Sequence, residues 1–181
     1  MDLYRLRDAH RSVKLASVLF LVVLGYSYVF AFLMVKTWAG LTPSQVQATY
    51  APAPSMDMSQ MPEHSKSALQ PLDLSRVPEM KHTVDTPLLI QDSHIHIMIY
   101  AIVAALQSLI ILGLAWPGWF RDSMIVAAFG CGALDFAGQW LMKAHLPGFA
   151  WLTLVSGWGM ALVYLIVLGG TLRAVVPRRA A

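Results

Sequence analysis

Two groups of side chains in this 181-residue chain are of types suited to chemistry. The first is Met56, Met58, Met61 and His64, in "SMDMSQMPEHS", with Asp57 and Glu63 interspersed. Thioether sulfurs are soft donors that favour Cu(I), and imidazole suits copper as well. A metal segment is one reading, and adaptable methionine packing against a neighbouring protein is the other. The second group opens with His94 and His96, in "DSHIHIMIY", where a long apolar run begins. Imidazoles hold haem iron or copper, and they exchange protons near neutral pH.

Helical spacing extends the second group. Residues two apart on a helix point about 200° apart, so only one of His94 and His96 can face a helix bundle if both are helical. His96 continues into a partly polar stripe with Tyr100 and Gln107. In a later apolar segment Asp135 lies four residues from both Cys131 and Gln139, which puts all three on one face. A carboxyl group inside a span costs roughly 2.5–3.5 kcal/mol and marks a candidate functional site. Counting back from Lys143, Asp135 lies roughly 12 Å below the end of its span by the helical rise. Tyr100–Asp135 and His96–Gln139 pairings are therefore geometrically open, and His145 in "KAHLPG" can approach the same region. The set His94, His96, Tyr100, Asp135, Gln139 and His145 admits haem b, with His145, Met98 or Met142 as a second axial ligand. It equally admits copper, a quinone pocket, or a purely structural polar rim with no cofactor.

These side chains need a membrane scaffold to position them. Hydrophobic residues make up 57% of the chain and charged residues 13%, far below the roughly 25% charged residues of a soluble domain. Four segments reach the length of about 20 apolar residues that a spanning helix requires. They are residues 15–35, 95–116, 124–142 and 149–172, and the fold class expected is an all-α polytopic membrane protein, a four-helix transmembrane bundle. Arg5, Arg7, Arg11 and Lys14 precede the first span, Arg121 follows the second, and Arg173, Arg178 and Arg179 follow the fourth. By the positive-inside rule residues 1–14 and the basic tail 173–181 are cytoplasmic. The long loop 36–93 and the turn 143–148 are then outside, which in a Gram-negative cell is the periplasm. Within the loop, Thr42 or Ser44 can cap a helix start with Pro43 at an early helical position, Val46 and Tyr50 lie four apart, and a short amphipathic helix is expected over about 42–50. The Met/His segment, 55–65, follows it.

Two resemblances add to this reading. The stretch "SMDMSQMPEHS" resembles the Met-Asp-His-Ser repeats of periplasmic copper-resistance proteins, although Met58 stands where those carry His and there is one copy. The succession "GLTPSQVQATY", "SHIHIMIYAIVAAL" and "LDFAGQWLMKAHLPGFAWLTLVSGWGMAL" resembles an uncharacterised bacterial four-span inner-membrane family often mislabelled as an elongation factor. That family has a similar "THxH" start to its second span, an Asp followed by Trp in its third and a "FAWL…G" start to its fourth. His94, His96, Asp135, Trp140 and residues 149–152 match the pattern, while the methionine segment is no part of it. Members of the family occur with cytochromes and respiratory components, so the resemblance implies an electron-transfer setting without a defined reaction.

One cysteine, Cys131, matches neither a disulfide framework nor a c-type haem attachment. The chain shows no Gly-rich phosphate loop, nucleophile elbow or H-E-x-x-H, and it lacks the basic density of nucleic-acid binding. The expected role is a membrane subunit of a periplasm-facing respiratory or electron-transfer complex. Its partners would be other membrane subunits, a periplasmic cytochrome or a cupredoxin. The alternatives are a copper-delivery protein working through the methionine segment and a cofactor-free structural anchor. Catalysis by the chain alone is not expected.

Overall fold

The computed structural model describes residues 4–51 and 84–176. Every regular element among the described residues is helical: α1 (Arg11–Met34), α2 (Pro43–Tyr50), α3 (Thr86–Leu112), α4 (Gly118–Lys143) and α5 (Ala150–Val175). Four of them are long and apolar enough to cross a membrane, namely α1 with the wide turn that continues it to Ala39, then α3, α4 and α5.

The helix ends differ from those marked by the apolar runs, and capping chemistry explains why. α3 begins at Thr86 rather than near Ile95. Asp85 caps it by accepting from the Leu88 amide at 2.8 Å, and Pro87 occupies the first turn. The polar residues 91–94 before the apolar run contain no breaker, so the helix extends through them to Leu88–Ile90 and the cap. At the other end α3 stops at Leu112, short of Trp116, because the chain must turn through Gly113 toward Pro117. Pro117 then serves as the N-cap of α4, which starts at Gly118 rather than Met124 and takes Arg121 and Asp122 into its first turns. α1 ends in a wide turn, Val35–Ala39, closed by Gly40, whose amide bonds the Val35 carbonyl at 2.7 Å. Gly40 has φ +82, and a side chain there would run into Gln45.

α4 packs along both α3 and α5, while α1 lies chiefly against α5. Small residues permit the close approaches, as expected where packing rather than water exclusion drives helix association. A Cβ on Gly138 would meet Thr153, and one on Gly25 would meet the Tyr164 hydroxyl. That hydroxyl instead donates to the Leu21 carbonyl of α1 at 3.1 Å. One core, built on Leu6, Leu21, Ile111, Leu114, Tyr164 and Val167, lies toward the end where the arm preceding α1, the α3–α4 turn and the end of α5 meet. A smaller one, Val46 with Met142 and Ala150, seats α2 across the opposite end of α4 and α5.

Candidate functional site

The α2 end of the bundle gathers most of the polar side chains singled out by the sequence. α2 is fixed there by a capping box. The Thr42 hydroxyl accepts from the Gln45 amide, and Gln45 Oε1 accepts from the Thr42 amide at 3.2 Å. This turns Val46 inward, where it is 2% exposed. Val84, just before α3, is held on both sides: its amide donates to the Thr49 carbonyl at 2.9 Å, and its carbonyl accepts from Lys143 Nζ at 2.6 Å. Trp140 Nε1 donates to Ser93 Oγ at 2.9 Å and ties α4 to α3.

Inside this frame Asp135 and Gln139 are both buried, and Gln139 Nε2 donates to Asp135 Oδ2 at 3.2 Å. Gln139, and not Tyr100, is thus the side chain bonded to Asp135. The Tyr100 ring packs over Gly132 and lies 5.7 Å from the Phe136 ring. Aromatic packing takes up the space that a Tyr100–Asp135 hydrogen bond would need. The His96–Gln139 pairing that helical spacing left open is absent for a related reason. His96 Nδ1 is engaged within its own helix, 3.0 Å from the Asp92 carbonyl oxygen and 2.9 Å from Asp92 Oδ1. Both neighbours are acceptors, so Nδ1 carries a proton, and in the neutral ring Nε2 is left with its lone pair. The His96 ring stands 6.2 Å from Tyr100 and 6.5 Å from Phe136. His94 is exposed on another face of α3, and His145 is exposed in the α4–α5 turn with a positive φ of 66.

Tyr50 closes the cluster from α2. Burial pushes its hydroxyl up to about 12, helped by the fields of the Asp135 and Asp92 carboxylates. It is therefore a neutral donor at any physiological pH.

The donor set limits what these residues can bind by themselves. Among the described residues no three His, Cys, Asp or Glu side chains stand close enough to hold a metal ion. The three candidate imidazoles do not converge: His94 is exposed, His96 is tied to Asp92, and His145 is exposed in a separate turn. The methionine segment with Met56, Met58, Met61 and His64 lies outside the described residues. Further into the bundle Tyr28, Tyr100 and Gln107 line a cavity of about 20 Å³, room for about one water and too little for a quinone ring. Gln107 Nε2 is buried there without a hydrogen-bond partner among the described residues.

Sequence reasoning missed Asp92, Ser93 and Lys143 as contributors to this end. The Asp92/His96 spacing of four was legible, but it carries meaning only once the helix is known to begin before Asp92.

A family described as a transmembrane helical domain, Aq_1264_TM, matches residues 40–181. The chain belongs to this family. The Aq_1264_TM domain takes in α2 to α5 and every residue of the cluster just described, whereas α1 precedes it. No curated protein and no solved structure matches the chain.

Proposed function

We propose that this Aq_1264_TM protein is an integral subunit of a respiratory or electron-transfer complex in a bacterial inner membrane. Both termini are then cytoplasmic, and the α2 end faces the periplasm and meets the partner that holds or shares a redox cofactor. The observation that carries this reading is the Asp92–His96 pair. A carboxylate or carbonyl that accepts a hydrogen bond from Nδ1–H fixes the ring and leaves the Nε2 lone pair to bind a metal, the arrangement usual behind metal-bound histidines. The pair is half exposed at the rim of the bundle, where an ionisable group calls for a partner. Since the candidate imidazoles of this chain do not converge, a second ligand would come from another subunit. The resemblance to a family found with cytochromes supports the same setting.

A cofactor-free anchor is favoured by a different observation: Trp140–Ser93 ties α4 to α3 and Lys143–Val84 ties α4 to the segment before α3, and such bonds serve assembly without chemistry. The two readings separate in one experiment. The complex is isolated from native membranes through this chain, and its metal content and reduced-minus-oxidised visible spectrum are recorded. A b-type haem band or bound copper that is lost in His96→Ala, and weakened roughly 10- to 100-fold in Asp92→Ala, supports the redox reading. A featureless, metal-free complex, or a signal indifferent to His96→Ala, discards it and leaves the anchor.

A further inference from the structure

At the end of the bundle away from α2 lies a cleft of about 770 Å³, within the size range of small-molecule sites. Three separated segments form its walls: the arm before α1, the turn between α3 and α4, and the last turns of α5. The arm is fixed in place. The Tyr4 hydroxyl donates to the Leu109 carbonyl at 2.7 Å, the Leu6 amide donates to the Gly113 carbonyl at 2.7 Å, and the Leu6 side chain is fully buried. These contacts hold Arg5, Arg7 and Asp8 at the cleft, where Arg173 of α5 joins them. Arg7 and Arg173 are both exposed.

The cleft has two chemical halves. Arg7 and Arg173 bring two exposed guanidinium groups to its mouth beside the Asp8 carboxylate, so the mouth is basic. Its other half is apolar, with Trp116 and Phe120 in edge contact at 5.1 Å and Leu165 and Ile166 beside them. Gly169 lies open on this side, since a Cβ there would meet nothing within 4 Å. The cleft also sits where the apolar spans end, and Trp119, 72% exposed, stands nearby as interfacial tryptophans do. An occupant must therefore carry an anionic head and an apolar tail and must be available at the bilayer interface.

We propose that this cleft binds an anionic phospholipid. Its phosphate is held by Arg7 and Arg173, whose planar guanidinium groups suit phosphate oxygens. One acyl chain runs along the Gly169 side of α5. Basic pockets between membrane helices bind anionic headgroups by this combination of charge and apolar wall. The site is independent of the α2 end and of any cofactor there.

The test uses the full chain purified in a neutral detergent and offered equal amounts of phosphatidylglycerol and phosphatidylcholine of the same chain length. Bound lipid is counted by native mass spectrometry. The expected result is selective retention of one phosphatidylglycerol. In the Arg7→Gln/Arg173→Gln variant its apparent affinity falls roughly thirtyfold, about fivefold for each basic residue at an anionic headgroup. Gly169→Leu, which fills the apolar side and leaves the arginines in place, weakens retention as well. Equal retention of the two lipids, or full retention by the double variant, overturns the proposal. So does complete displacement by inorganic phosphate, which would reduce the site to a simple anion site. Loss of retention in Gly169→Leu without any phosphate effect upholds it.

Discussion

The contact between α1 and α5 makes a prediction whose sign reverses with context. Gly25 leaves the gap through which the Tyr164 hydroxyl reaches the Leu21 carbonyl, and a Cβ at that position would meet both Oη and, at 3.3 Å, Cζ. Gly25→Ala therefore displaces the hydroxyl and breaks the bond. Hydrogen bonds between membrane helices contribute on average about 0.6 kcal/mol and at most about 1.7. The Tyr28 ring, 5.0 Å from Tyr164, is disturbed together with it, and an aromatic pair contributes roughly 0.5–1.5 kcal/mol. Together these losses come to about 1–3 kcal/mol, and with the gain of up to about 1 kcal/mol for alanine over glycine in a helix the expected net loss in Gly25→Ala is about 0–2 kcal/mol. Tyr164→Phe alone loses only the hydrogen bond. In that background the nearest obstacle to a Cβ is gone, and alanine is favoured over glycine in a helix by up to about 1 kcal/mol. There Gly25→Ala should be neutral or stabilising. The assay is a double-mutant cycle of unfolding free energies in detergent, and the expected coupling exceeds about 1 kcal/mol. Additive losses, with Gly25→Ala equally harmful in both backgrounds, would refute the argument.

Two further outcomes are expected at the α2 end. Trp140→Phe and Ser93→Ala each remove the same 2.9 Å bond, so each should cost about 0.5–1.5 kcal/mol and the double variant little more, as unfolding measurements on the three variants will check. The Tyr50 hydroxyl titrates at about 12 in the folded chain against an ordinary 10.0. It is raised on folding, so its contribution is complete below pH 10 and is lost as the pH rises toward 12. Unfolding midpoints followed over that window should fall more steeply for the native chain than for Tyr50→Phe, and parallel curves would contradict the assignment.

The four spans were readable because an almost uncharged apolar run of membrane length has nowhere to bury itself in so short a chain except a bilayer. Their ends were not, because Asp85, Pro87 and Pro117 set them by backbone capping and hydropathy is blind to that. The site was legible to the same degree. The spacing of four between Asp135 and Gln139 placed them on one face, and they bond to each other. Which neighbour each side chain would choose across the helix boundary depended on rotation and register. There the Tyr100 ring lies over Gly132 instead of reaching the carboxyl group. The polar stripe from His96 to Gln107 likewise gave a direction, but no hint that Asp92 would engage the imidazole first.

The seat of α1 has a consequence for how the protein is made. The first span in the chain rests mainly on the last one, through a bond that joins Leu21 to Tyr164. During synthesis α1 enters the bilayer long before its partner exists, and its outward faces, with Val23, Tyr26 and Phe30 exposed, are apolar enough to rest in lipid. α4 makes its most extensive contacts with α3 and α5, more than α1 makes with α5. Assembly in the membrane follows insertion, so α1 is expected to dock onto α5 after α3, α4 and α5 have met.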